Sequence, residues 1–330
     1  MPRRLWWLLM LALLCSFSPV TQGAEPTLAE LVGNARRILF LGDSITAAGP
    51  AVANFDAWLL TQKRPQTSVV INAGLPSETV SGLSEEGHAG GQFPRPDLAE
   101  RLERVLKVAQ PDLAERLERV LKVARPDLVI ACYGMNCGIY QPFDKDRFAR
   151  YQAGIRQLKQ RVEQAGARLI LVTPPFYDDQ TSPRPFVYND VLGRYADWLL
   201  EQRSQGWLVV DLHHAMTAEV ARRRQSDPKF TLQPDGVHPN DAGHWFVATR
   251  LIAVLGDAAA ASAESPQAML RQAGLPVELL PLVTERMQIR RDAYVGAAGH
   301  KRPGVAKGLP IPEAEQAAAR LNEKIQSLGK

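Results

Sequence analysis

The sequence predicts an α/β protein, a three-layer α/β/α sandwich around a five-stranded parallel sheet. Three observations predict it. Five apolar runs of strand length recur along the chain, each is continuous rather than alternating, and amphipathic stretches of helical length fall between them. Continuous apolar runs suit strands buried on both faces, as a parallel sheet requires. Their alternation with helices gives the layers.

The elements follow in chain order. Residues 1–24 read as a secretory signal peptide: Arg3-Arg4, an apolar run from Leu5 to Leu14 that is short for a membrane span, then small residues at Gly23-Ala24. The mature chain is therefore expected to be secreted or periplasmic, with no stable membrane insertion after cleavage. The strands are 38–41, 69–71, 128–132, 169–172 and 208–210, and helical patterns occupy 51–63, 145–165 and 187–204. Right-handed crossovers place the C-terminal strand ends on one edge, where open α/β sheets hold their sites. Residues 25–262 form the expected main domain.

Within it, residues 96–110 recur almost unchanged at 111–125, with Gln110 replaced by Arg125. Two units are too few for a solenoid, so the repeat reads as a local tandem duplication. Each copy carries helical spacing with Pro and Asp at its start. Pro111 would remove a backbone hydrogen bond from a continuous rod, which predicts two helices or a sharp kink there.

Residues 263–330 are expected to form a helical, basic extension, with patterns at 265–274, 276–292 and 313–328. The sequence leaves open whether it docks on the domain, binds an acidic partner or served as a linker. The formal charge of +4 is located at the ends: Arg3 and Arg4 precede every other charge, and from Arg286 onward nine Lys/Arg face four Asp/Glu. The stretch between is slightly acidic, which excludes a basic nucleic-acid-binding domain. Cys132 and Cys137 are the only mature thiols. Five residues apart, they read as a strand residue and an unpaired loop residue rather than a disulfide.

The chemistry falls at strand ends. The first strand delivers Gly42-Asp43-Ser44, placing a hydroxyl just before a helix, where free backbone N–H groups hold anions. No phosphate loop is present, since no Lys-Ser/Thr follows the glycines. Asp235-Gly236-Val237-His238 puts a carboxylate three residues ahead of an imidazole. Such a carboxylate accepts a hydrogen bond from Nδ1–H and leaves Nε2 facing a nucleophile. His213, His214 and His244 lack metal-ligand spacing, and neither metal nor organic cofactor is expected.

Gly42-Asp43-Ser44, Asn72 to Thr79, Gly134-Met135-Asn136 and Asp235-x-x-His238 together resemble the four blocks of the SGNH/GDSL hydrolases, in order and each after a strand, across roughly residues 36–256. The resemblance implies a flavodoxin-like sheet, a triad of Ser44, His238 and Asp235, and an oxyanion hole from the Ser44 and Ser77 N–H groups and the Asn136 amide. Two positions depart from the pattern. Ser77 stands where the family usually has Gly, and Cys137 where it commonly has Asp. Gly74 is the alternative second-block donor. Asp43, Gly74, His88 and Tyr133 are candidate substrate contacts, with Tyr140 and Tyr188 as further aromatic candidates for the rim; Asp211 reads as a strand-end cap. The implied activity is hydrolysis of carboxylic esters, of short-chain or O-acetylated carbohydrate substrates, small or polymeric. The alternatives are a lipase- or thioesterase-like acyl hydrolase and a catalytically blunted secreted carbohydrate-binding protein.

Overall fold

The computed structural model describes residues 27–62, 68–108 and 126–329. The signal-peptide segment and the second copy of the duplication, with the kink expected at Pro111, lie outside the described residues. The strands are β1 (Arg37–Gly42), β2 (Val69–Asn72), β3 (Leu128–Cys132), β4 (Arg168–Val172) and β5 (Leu208–Val210). The α-helices are α1 (Leu28–Asn34), α2 (Ser44–Ala48), α3 (Pro50–Thr61), α4 (Leu102–Val108), α5 (Lys145–Gln164) and α6 (Tyr188–Glu201). After β5 come α7 (His213–Arg224), α8 (Asp241–Val254), α9 (Ala258–Ala261), α10 (Pro266–Gln272), α11 (Leu279–Ala298) and α12 (Ile311–Leu328).

All five strands are parallel, in the order β2-β1-β3-β4-β5. Side chains alternate across a strand, and here both sides are core. Leu39, Leu41, Val129 and Leu171 pack with Ile155 and Leu158 of α5 and Leu192 and Leu199 of α6. Ile38, Phe40, Ile130 and Val172 pack on the opposite side with Phe55 and Trp58 of α3 and Leu251 and Ile252 of α8. Strand residues facing apolar layers on both sides explain the continuous hydrophobic runs. Helix starts follow capping chemistry: Asp144 accepts the Arg147 N–H at 2.7 Å, and Asn240 accepts that of Gly243 at 2.9 Å.

The first copy of the duplicated segment departs from its expected helix. Regular α-helix begins only at Leu102, after a short 3-10 turn at Leu98–Glu100. The cause is long-range pairing. Thr79 N–H donates to Pro96 O and Leu98 N–H to Thr79 O, both at 2.9 Å, which holds the start of the repeat extended against the second-block loop. Tertiary hydrogen bonds outweigh local helix propensity there.

The C-terminal helices pack into the sheet domain. Helix α11 places Val283 and Met287 in one core and Ala293, Tyr294 and Val295 in the other, and it contacts edge strand β2. It thereby covers an edge that would otherwise be open to pairing. Its basic residues are engaged internally: Arg286 pairs with Asp56 at 2.8 Å, both buried, and Arg290 pairs with Glu315 at 3.0 Å. Cys132 and Cys137 are not bonded to each other. Among the described residues, no helix is long and apolar enough to cross a membrane.

Candidate active site

Strand β1 ends at Gly42, where a side chain has no room: a Cβ would lie 2.1 Å from Thr46 Oγ1 and 2.9 Å from Cys132 O. The chain then turns sharply into α2. Asp43 caps that helix by accepting the Ile45 N–H at 3.0 Å, and Ser44 is its first residue. A first-turn N–H has no partner within its helix. Ser44 is half-buried, with Oγ 2.9 Å from His238 Nε2.

The loop after β5 and α7 brings the imidazole across. Asp235 Oδ1 accepts the N–H groups of Val237 and His238 at 2.9 and 2.7 Å, while Oδ2 lies 2.7 Å from His238 Nδ1. Burial raises the Asp235 carboxyl, but its bonds to the His238 side chain and to the two N–H groups outweigh this and lower it from its ordinary value. An ionised Asp235 fixes the proton on Nδ1 and leaves the Nε2 lone pair to the Ser44 hydroxyl. Gly236 has φ +86°, and Asp178 N–H donates to Gly236 O at 3.0 Å, anchoring the turn. The His238 and Asp235 side chains are 50% and 57% exposed, so the arrangement opens to solvent.

The second-block loop is bolted to the nucleophile loop. Leu75 N–H donates to Gly42 O at 2.9 Å and Asn72 Nδ2 to Thr46 O at 2.7 Å. Gly74 is pressed so tightly on α2 that a Cβ would sit 2.5 Å from Ala47 N. Its own N–H donates to Asn72 Oδ1 at 2.9 Å, which removes Gly74 as an alternative oxyanion donor. Ser77, by contrast, adopts φ +68°, the left-handed region that favours glycine. The substitution thus preserves the backbone shape at a strain of about 1 kcal/mol. Asn136 follows β3. Its Oδ1 accepts the Tyr140 hydroxyl at 3.1 Å and its Nδ2 donates to Glu78 O at 3.4 Å, so the amide is oriented from both ends.

The four candidate substrate contacts are placed otherwise than expected. Asp43 and Tyr133 are 3% and 1% exposed, Gly74 is buried, and the His88 side chain is 12% exposed with Nδ1 on Glu85 at 3.1 Å. These residues hold the loops together rather than line them; Asp43 and Tyr133 directly follow buried strands, and their side chains turn inward. Tyr188 is also fully buried, its hydroxyl donating to Met135 O at 2.8 Å. Half-buried Tyr140 stacks on it, with the Arg184 guanidinium 4.8 Å from its ring centre. Asp211 accepts the His214 N–H at 3.2 Å as a helix cap. Sequence reasoning missed Arg184, Arg95 and the buried Arg101–Glu78 pair, since lone arginines in loops and turns carry no spacing signal.

Asp43 gives a stability expectation. Burial, the largest influence, pushes its carboxyl up from 3.8 to about 6, against the Ile45 N–H and the charges of His238 and Arg95. The folded state therefore holds this proton more tightly than the unfolded chain, and stability falls as pH rises through the window from 3.8 to about 6. Asp43→Asn keeps the capping oxygen and removes the charge. Denaturant unfolding should find the variant more stable than wild type at pH 8, by on the order of 2–3 kcal/mol, with the gap closing by pH 4. A constant gap across that range would refute the argument.

A sequence model described as the GDSL-like Lipase/Acylhydrolase family matches residues 40–246. No curated protein matches the chain. Among solved structures, a gut microbial diltiazem-metabolizing enzyme is 19% identical over 67% of this chain, with a TM-score of 0.50. The match spans only 47% of that enzyme's length. An acetylxylan esterase from Geobacillus stearothermophilus is 24% identical, covering 67% of this chain and 94% of its own, with a TM-score of 0.44. The acetyl xylan esterase AlAXEase is 19% identical, covering 66% and 98%, with a TM-score of 0.49.

Proposed function

We propose, for a chain that belongs to the GDSL-like lipase/acylhydrolase family and is thereby a hydrolase of ester bonds, that it is a serine esterase using Ser44, His238 and Asp235 on short acyl esters of carbohydrate. The observation that carries the reading is the continuous hydrogen-bonded series Ser44 Oγ, His238 Nε2, His238 Nδ1, Asp235 Oδ2, with links of 2.9 and 2.7 Å.

In this mechanism Ser44 Oγ attacks the ester carbonyl carbon as its proton passes to His238 Nε2. The carbonyl oxygen becomes an oxyanion held by the Ser44 and Ser77 N–H groups and Asn136 Nδ2. Collapse breaks the carbon–oxygen bond to the alcohol, which leaves with the proton from His238. Water, deprotonated by His238, then releases the acyl group from Ser44 as a carboxylic acid. Asp235 stays ionised throughout and keeps the imidazole oriented.

Two features support a small acyl group on a polar alcohol. The pair at His238 and Asp235 opens directly to solvent, and Tyr140, whose hydroxyl donates to Asn136 Oδ1, carries the Arg184 guanidinium over its ring. The large exposed hydrophobics among the described residues are Val187, Leu309 and Leu328, widely separated in sequence, whereas a lipid surface calls for a contiguous apolar patch. The test is a panel of p-nitrophenyl esters of graded length with acetylated sugars, alongside labelling by a fluorophosphonate probe. The reading expects label on Ser44 and turnover highest for acetyl esters. A preference for long acyl chains would reverse the substrate assignment, and an unlabelled Ser44 would favour a carbohydrate-binding role.

A further inference from the structure

The loop that follows β3 carries the Asn136 amide, and its backbone is strained. Ile139 and Tyr140 stand consecutively in the left-handed region, at φ +44° and +53°, where a β-branched residue is a genuine outlier. Such strain persists only where the surroundings impose it, and it gathers at functional sites. Here three contacts impose it. Ile139 N–H donates to Asn136 O at 3.0 Å, the Tyr140 ring stacks on buried Tyr188 with centres 5.0 Å apart, and the Arg184 guanidinium lies 4.8 Å from the same ring centre. Tyr188 holds the loop in turn: its hydroxyl donates to Met135 O at 2.8 Å, and a Cβ on Gly138 would lie 2.5 Å from that hydroxyl oxygen.

The strained turn folds the Tyr140 hydroxyl back onto the residue four positions earlier. There it donates to Asn136 Oδ1 at 3.1 Å, its one hydrogen bond among the described residues. Burial, the largest influence on that hydroxyl, pushes it above its ordinary value against the charge of Arg95, so it stays protonated and remains a donor. Asn136 Nδ2 meets Glu78 O only at 3.4 Å, a long bond for an amide that must keep its direction. A carbonyl accepts and cannot donate, so Glu78 O selects which end of the amide faces it. The Tyr140 hydroxyl then occupies the oxygen end, and a hydrogen bond accepted there strengthens donation from Nδ2.

We propose, resting on the esterase reading, that Tyr140 is a positioning residue for ester hydrolysis: its hydroxyl on Asn136 Oδ1 aims and polarises the Asn136 amide toward the oxyanion, and the left-handed turn at Ile139 and Tyr140 places it there. Tyr140 acts through Asn136 and touches no substrate atom in this role.

The experiment measures kcat and KM for p-nitrophenyl acetate in the full chain, in Tyr140→Phe, in Asn136→Ala and in the double variant, with urea midpoints and fluorophosphonate labelling alongside. Phe keeps the ring that stacks on Tyr188 and lacks only the hydroxyl. In Tyr140→Phe, kcat should fall about tenfold with KM and urea midpoint unchanged, less than the about 10²- to 10³-fold expected for loss of the amide itself. In the Asn136→Ala background the same substitution should change kcat by less than about twofold, because no amide is left to position. Unchanged kcat in Tyr140→Phe, with Ser44 still labelled, overturns this inference alone. A loss that persists in full without Asn136 makes Tyr140 a substrate contact or a structural support and overturns it equally. A wild-type chain with neither turnover nor label at Ser44 overturns the esterase reading, and the positioning role falls with it.

Discussion

Replacing Ser44 with Ala is expected to lower ester turnover by about 10⁶-fold while the folded state persists. Among the described residues the side chain makes one hydrogen bond, to His238, and none that holds a loop in place, so its loss removes the proposed nucleophile and little else. A graded series sharpens the expectation. Asp235→Asn retains the turn geometry yet presents the wrong hydrogen-bonding partner to Nδ1, and about 10⁴-fold is the expected loss. Asn136→Ala removes one of the three proposed oxyanion donors and leaves the proposed triad intact, for about 10²- to 10³-fold. The order Ser44, then Asp235, then Asn136 is what a nucleophile, an orienting carboxylate and a single donor should give. Turnover of p-nitrophenyl acetate measures it, with circular dichroism and urea midpoints as controls on folding. A Ser44→Ala protein within tenfold of wild type would sink the assignment of the nucleophile.

The layers and the motif positions were legible because they rest on local or periodic signals. Continuous runs such as 128–132 announce burial on both sheet faces, and Gly42-Asp43-Ser44 and Asp235-x-x-His238 sit beside strands whose parallel order brings their ends together. What escaped is long-range. Helix α4 starts late because Thr79 holds the chain at Pro96 and Leu98, a contact with no trace in the repeat's helical spacing. Whether the basic extension docks on the domain has no local signal in the sequence; Arg286 meets Asp56 from 230 residues away. Candidate contacts Asp43 and Tyr133 failed for a related reason: adjacency to a motif in sequence does not tell which side of the turn a side chain takes. Ser77 was legible in part. The departure from Gly was visible, but not that the backbone keeps the left-handed shape.

Arg101→Met is expected to destabilise the fold by about 3–5 kcal/mol. Arg101 Nε and Nη2 grip both oxygens of Glu78 at 2.5 and 2.7 Å, and the Tyr133 hydroxyl donates to the same carboxylate at 2.6 Å. Glu78 is fully buried; burial pushes its carboxyl up, and the Arg101 charge is the main influence pulling it down. Without Arg101 the carboxyl rises further, so the folded state holds a proton that the unfolded chain releases near its ordinary value of 4.5. The variant should therefore lose stability as pH rises above that value and recover part of it on acidification. Urea unfolding at pH 5 and pH 8 measures both effects. The double variant Arg101→Met/Glu78→Leu removes the stranded charge and should regain most of the loss, because replacing both partners of a buried pair by apolar groups is often close to neutral. Its activity separates structure from chemistry: Glu78 follows Ser77 directly and its carbonyl accepts Asn136 Nδ2. If the pair merely fills space, the double variant keeps wild-type turnover. If it holds the oxyanion donors in register, kcat falls with KM unchanged even after stability returns, which is the outcome this geometry favours.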